Sequence, residues 1–201
     1  MFTKPNTEYL PSTNKDLEIQ QSLSSIPYVS ELIIEEKYSA AIQKICIFYL
    51  CNYRQDHNYH LKKECDSWLA LLLAKQGKYQ KSIEFYRQLT QGKDSTDISY
   101  LGNKTALIKV LYQAGNAEVA IQESELVLDQ EGDRLDLELI NLLKQYVAIL
   151  EDCGQIFPTK YSFLIKKISN QLGLDLTSYN LQNSQDLAQI IKQIGKQYQT
   201  K

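Results

Sequence analysis

A short sequence pattern that recurs along the chain constrains its fold more than any other feature. In the clearest copy an apolar stretch ends at Gly77, Tyr79 follows, and then come the small residue Ser82 and the large residue Tyr86. Glycine adopts positive φ at little cost, and a small residue lets two helices approach closely. The pattern therefore predicts two helices that reverse direction at Gly77, over about residues 59–91.

The same pattern returns on both sides of this copy. Its other members are Gly115, Ala117 and Ala120 in one copy, and Glu36, Tyr38 and Ala41 in a weaker copy that has glutamate in place of the glycine. With Gly154 as a fourth corner, successive corners lie 41, 38 and 39 residues apart. A near-constant period indicates a stack of similar helical hairpins, and such stacks bind other proteins far more often than they catalyse reactions.

Hydrophobic periodicity predicts an all-α chain. Apolar residues recur at helical spacing, no segment shows sustained period-two alternation, and only four prolines and eight glycines interrupt the sequence. We expect a flexible lead-in over residues 1–14 and one helical domain over 15–201, with hairpins at about 16–54, 59–91, 98–130 and 134–172. An amphipathic helix at about 185–198 is expected to cap the stack, since an open end would leave an apolar face in water. The sequence leaves open whether residues 155–198 complete a fourth repeat or form a separate cap.

Composition and net charge limit the classes of partner that the chain is expected to bind. Hydrophobic residues make up 43% of the chain and charged residues 23%, the formal net charge is −2, and the basic residues are dispersed. This balance disfavours nucleic acid and anionic membranes as partners. The apolar runs are shorter than the roughly 20 residues that span a bilayer, and the first residues do not resemble a secretory signal. We therefore expect a soluble, cytoplasmic or otherwise intracellular protein without membrane insertion.

The cysteines and histidines do not predict a metal site or a catalytic pair. Four potential zinc ligands fall within 15 residues, but they lack the paired spacing of known zinc sites: Cys51, His57, His60 and Cys65. No orienting motif supports His60 and Cys65 as a nucleophile pair, and the sequence holds no phosphate loop, dinucleotide fingerprint or nucleophile elbow. With Cys46 and Cys153, the cysteines are expected to be reduced and mostly buried. We expect no metal, no cofactor and no enzymatic activity.

The recurring pattern resembles the tetratricopeptide repeat family over roughly residues 26–130, and more weakly as far as 154. It departs from that family in period, because the standard repeat has about 34 residues and the copies in this chain are longer. The early aromatic of the repeat is also displaced, since Trp68 lies about two places late. The resemblance implies a right-handed α-solenoid of about four hairpins with a C-terminal capping helix.

The resemblance also implies a partner-binding groove, lined by the first helix of each hairpin. Counted back from the corners, its positions are Glu64, Ser67, Leu71, Lys75, Thr105, Lys109, Tyr112 and Gln113. Relatives that bind a C-terminal carboxylate use a set of Lys, Asn and Arg side chains that this groove lacks, so Leu71, Lys109 and Tyr112 would better suit an amphipathic segment. The alternative is that Leu71 and Tyr112 simply pack in the interior.

The function that follows from the resemblance is protein–protein interaction without bond chemistry. The chain would act as an adaptor, an assembly factor or a subunit of a larger complex, with a protein or peptide as partner. Two alternatives stay open. One is a regulator that responds to a small ligand or peptide, and the other is a structural subunit that self-associates as a homo-oligomer through residues 160–198.

Overall fold

The computed structural model describes residues 28–56, 59–91, 98–131 and 136–199, and in these ranges all regular structure is helical. In chain order the helices are α1 (Val29–Ile34), α2 (Tyr38–Asp56), α3 (Tyr59–Lys75), α4 (Tyr79–Thr90), α5 (Ile98–Gln113), α6 (Ala117–Glu131), α7 (Leu137–Asp152), α8 (Ser162–Leu172) and α9 (Ser184–Gln199), with a 3-10 turn (Thr159–Tyr161) before α8. The all-α prediction is confirmed for these residues. The predicted lead-in over 1–14 and the start of the first hairpin lie outside them.

The chain divides into two compact units, with the boundary after Cys65. In the first unit α1 packs against α2. In the second unit α5 packs against α4, α6 and α7, α6 also packs against α7, and α9 packs against α7 and α8. The extent predicted for a single domain, residues 15–201, stays a prediction.

The four predicted corners share one backbone conformation. The φ angle is 57° at Glu36, 74° at Gly77, 83° at Gly115 and 64° at Gly154. At each corner the N–H of this residue donates to the carbonyl three residues earlier, and the next N–H donates to the carbonyl five residues before it. This pair of hydrogen bonds is the Schellman motif, which ends a helix by using carbonyls that would otherwise lack partners. The four corner positions are therefore confirmed.

The small residues of the pattern are all buried. After each of the first three corners the next helix begins two residues on, and the N–H groups of Ala41, Ser82 and Ala120 each donate to the carbonyl four residues earlier. All three side chains have 0% exposure. Ser82 Oγ also donates to the Ala70 carbonyl at 2.7 Å and so links α4 to α3. A larger side chain at these positions would have to displace the packed helix opposite.

Large and aromatic residues of the pattern fill the space around these contacts. Tyr86 is buried, as is Ile45 at the matching position of the first unit. Tyr79 is half-buried and packs against the core of the second unit. Tyr38 and Ala117, at the same place after their corners, are also half-buried.

The segment after Gly154 differs from the segments that follow the other three corners. Residues 155–158 have no regular structure, and the 3-10 turn follows them before α8 begins. The sequence had predicted that this helix would begin at about residue 160. Phe157 and Tyr161 pack against Tyr146 of α7, with ring centroids 6.0 Å and 5.9 Å away. The Tyr146 hydroxyl donates to Glu125 Oε1 at 2.8 Å. An aromatic cluster thus attaches this segment to α7 and to α6.

Helix α9 covers one flank of α7. Leu150 near the end of α7 and Leu187 near the start of α9 line the same cleft, and the two helices pack against each other, so they run antiparallel. The predicted apolar face of α9 is buried at Leu187, Ile190, Ile191 and Ile194. Val147 and Glu151 of α7 line the cleft with Leu187 of α9, whereas Gln145 and Asp152 face α5. At about 100° per residue, these two stripes of α7 lie roughly 130° apart around the helix.

The prediction that the cysteines are mostly buried is wrong. Cys65 is buried and Cys46 is half-buried, but Cys51 and Cys153 are exposed. Cys51 lies on the same side of α2 as the exposed residues Ile47 and Leu50. The prediction was wrong because this stretch is apolar in sequence although this side of the helix is exposed.

Candidate interaction surface

Alternate helices of the second unit lie side by side and are linked by polar side chains. Ser67 Oγ of α3 donates to Asn103 Oδ1 of α5 at 3.0 Å. Asn103 is a buried polar residue with 6% exposure, and its oxygen has a donor. Because an unsatisfied buried polar group would destabilise the fold by about 1–3 kcal/mol, this bond helps to determine how α3 and α5 align.

A second link joins α5 to α7. The Tyr112 hydroxyl donates to Asp152 Oδ2 at 2.7 Å. Partial burial, followed by this hydrogen bond and the negative charge of Asp152, raises the pKa of Tyr112 to about 12. The phenol therefore stays protonated at neutral pH and continues to donate to Asp152.

Between these links, a side chain of α7 reaches the backbone of α5. With its amide oriented to satisfy both groups, Gln145 donates to the Thr105 carbonyl at 3.3 Å and accepts from the Lys109 N–H at 2.6 Å. The Thr105 hydroxyl is used within its own helix, since it donates to the Leu101 carbonyl at 2.8 Å. The exposed sides of α3 (from Ser67), α5 and α7 thus form one continuous surface, which we call the α3–α5–α7 face.

The structure places seven of the eight predicted groove residues on this face, and none of the seven is fully buried. Lys75 and Gln113 are exposed, and the half-buried residues are Ser67, Leu71, Thr105, Lys109 and Tyr112. Tyr112 packs in part against the core while its hydroxyl reaches the surface. Glu64 is exposed on the same helix, but it belongs to the first unit.

Sequence reasoning missed the contribution of α7 to this surface. Counted back from the corners, Lys144 of α7 is equivalent to Ser67 and Thr105, at ten residues before the corner. Asp152 is equivalent to Lys75 and Gln113, at two residues before it. Extending the same count to the fourth corner would have found both residues. Asn103 had no such signal, because only the packing of α5 against α3 shows that its side chain is used.

Other kinds of site have weaker support. A cleft of about 240 Å³ lies between the end of α7 and the start of α9, with Glu151 as its charged residue and mainly apolar and amide neighbours. Within the described ranges, no three His, Cys, Asp or Glu side chains are placed to hold a metal ion. His57 lies outside those ranges. No helix in the part of the chain that the structure describes is long and apolar enough to cross a membrane.

Comparisons with protein-family models, with curated proteins and with solved structures found no match to this chain.

Proposed function

We propose that this chain is a tetratricopeptide-like α-solenoid that binds a segment of a partner protein along the α3–α5–α7 face and catalyses no reaction. In the cell it would act as an adaptor, an assembly factor or a subunit of a complex. The observation that carries the proposal is the recurrence of one corner geometry at Glu36, Gly77 and Gly115, each followed by a fully buried small residue. Repeated hairpins of this kind present a surface that grows with each repeat.

The chemistry of the face supports a peptide as its ligand. Leu71 and Tyr112 are half-buried and offer apolar area, while Lys75 and Lys109 offer positive charge beside it. Aromatic and apolar anchors surrounded by polar groups are typical of protein interfaces. The hydrogen bonds from Ser67 to Asn103 and from Tyr112 to Asp152 hold this surface in place before a partner arrives. A preorganised surface loses less entropy on binding.

A pull-down from native lysate tests the proposal. We expect wild-type chain to retain a partner that the double variant Lys109→Glu/Tyr112→Ala retains about tenfold less, because loss of one good anchor weakens binding by that order. The control Lys81→Glu/Val119→Ala makes a comparable change on the exposed sides of α4 and α6 and is expected to retain the partner as wild type does. Circular dichroism of all three proteins checks that they are folded. Equal retention of the partner by Lys109→Glu/Tyr112→Ala and by the wild type would contradict the proposal.

Self-association is the alternative that one observation favours. Phe163 on α8, within residues 160–198, is 72% exposed. Large exposed apolar side chains of this kind are frequent at contacts between protein copies. Retention of untagged chain by tagged chain in the same pull-down, with no other protein retained, would support this structural role over the adaptor role.

A further inference from the structure

The cleft between the end of α7 and the start of α9 has the size of one aromatic side chain. Its volume is about 240 Å³, and we call it the α7–α9 cleft. Its apolar walls come from the largely buried side chains of Val147, Leu150, Phe157 and Leu187. A closed cavity of about 150 Å³ with such walls can hold a benzene ring, whereas sites for drug-sized ligands have about 300–1,000 Å³. The cleft therefore has room for one ring but not for a large ligand.

Phe163 on α8 is an aromatic side chain that lies outside the core. It is 72% exposed, while Leu164 and Ile165 beside it are buried. Phe163 thus does not fill the α7–α9 cleft of its own chain. Ile156, which lines this cleft, is 74% exposed. Both residues leave apolar area in water, and burial against a second protein surface would remove it favourably.

The charges beside this ring and in the cleft have opposite signs. Lys166 lies one helical turn after Phe163 and is exposed on the same side of α8. Glu151 is the charged residue that lines the α7–α9 cleft, and it is also exposed. A ring with a positive charge one turn away is complementary to an apolar cleft with a carboxylate among its lining residues. The surface that fits the cleft is therefore present on the chain itself.

The ring and the cleft are close enough to belong to one interface. Ile156 lines the cleft and Phe163 follows seven residues later, so even a fully extended chain would separate them by at most about 25 Å. A standard interface covers about 800 Å² of each partner, which corresponds to a disc about 32 Å across. When a two-fold axis relates two copies, the ring of each copy meets the cleft of the other, and the contact is made twice.

We propose that two copies of this chain form a closed dimer in which Phe163 of each copy inserts into the α7–α9 cleft of the other and Lys166 lies beside the partner's Glu151. This inference goes beyond the proposed function, because the cleft stripe of α7 lies roughly 130° around the helix from the stripe that faces α5. The dimer leaves the α3–α5–α7 face open to a partner, and it gives the self-association alternative a defined contact.

Sedimentation velocity over a concentration series tests the inference. In reducing buffer, which keeps the exposed Cys51 and Cys153 from crosslinking copies, we expect wild-type chain to pass from one chain to two between about 1 and 200 μM. Phe163→Ser is expected to raise the dissociation constant of the dimer at least about a hundredfold, which is tenfold for each of two ring contacts. Leu126→Ser removes an exposed apolar side chain of α6 and, as the matched control, should dimerise like wild type. Circular dichroism checks that each variant is folded.

Charge reversal distinguishes this contact from non-specific association. Glu151→Lys and Lys166→Glu change the net charge in opposite directions, but each brings like charges together in the proposed dimer. Both are therefore expected to weaken the dimer about tenfold or more. The double variant Glu151→Lys/Lys166→Glu restores opposite charges at both contacts and is expected to dimerise nearly as wild type does. Opposite effects of the two single variants would show that only net charge matters, and would overturn the inference.

Three other results would also overturn the dimer. They are wild-type chain that stays monomeric up to about 200 μM, equal dimerisation of Phe163→Ser and the wild type, and growth into assemblies larger than two chains, since a reciprocal contact closes on itself.

The dimer and the α3–α5–α7 face fail separately. If wild-type chain is monomeric but loses its lysate partner through Lys109→Glu/Tyr112→Ala, the dimer is wrong and the face is supported. If the dimer depends on Phe163 and Glu151 while no lysate protein depends on Lys109 and Tyr112, the dimer is supported and the proposed face is wrong.

Discussion

Replacing Tyr146 with alanine is expected to lower the free energy of unfolding by about 3–5 kcal/mol. The ring is fully buried in α7 and packs against Phe157 and Tyr161. Its removal leaves a cavity where α7 meets the 3-10 turn, and it removes the donor to Glu125 that links α7 to α6. Urea denaturation followed by circular dichroism measures the change.

Two further substitutions separate the ring from the hydroxyl. Tyr146→Phe keeps the aromatic packing and is expected to destabilise the chain by about 1 kcal/mol, the net contribution of one hydrogen bond. Tyr146→Leu keeps part of the buried area, so its free energy of unfolding should lie between those of Tyr146→Phe and Tyr146→Ala. If Tyr146→Ala changed the unfolding free energy by less than the phenylalanine variant does, the aromatic cluster would not stabilise the segment after Gly154.

Replacing Ala120 with leucine is expected to destabilise the second unit by about 1–3 kcal/mol or more, because a packed core has no room for three additional carbons. Ala120 is a fully buried residue of α6, which packs against both α5 and α7. The same substitution at Ala148, an exposed alanine of α7, is the matched control and should change stability by less than about 0.5 kcal/mol. Thermal and urea denaturation of both variants provide the comparison.

The repeat interpretation extends this prediction to the first unit. Ala41 occupies the same position after its corner as Ala120 and has the same 0% exposure. Ala41→Leu is therefore expected to be destabilising as well. Tolerance of leucine at both positions would show that close helix approach is not the reason for small residues in the pattern.

The sequence predicted the corners and helix boundaries well because both depend on local chemistry. A left-handed residue that ends a helix favours glycine, so Gly77, Gly115 and Gly154 could be recognised directly. Glu36 was predicted from Tyr38 and Ala41, which follow it as in the other copies, because glutamate itself does not favour φ of 57°. Most helix ends fall within two residues of the prediction because apolar residues repeat at helical spacing up to each turn.

Features that depend on distant contacts were not predictable in this way. Tyr112 and Asp152 are 40 residues apart, and their hydrogen bond exists only because α5 packs beside α7. The antiparallel packing of α9 on α7 likewise depends on residues 155–183, which carry no repeat signal. The polar residues of the α3–α5–α7 face were only partly recognised, because helical periodicity predicts which side is exposed but not which side chains join neighbouring helices.

Site-specific photocrosslinking in cells tests most directly whether the α3–α5–α7 face binds a partner. A benzophenone amino acid replaces Leu71 on this face in one protein and Gln122 on the exposed side of α6 in another. Because the crosslinker reacts only with groups in contact with it, we predict a discrete product with a partner protein from position 71 and none from position 122. A product from position 122 alone, or the absence of any product from position 71, would contradict the account.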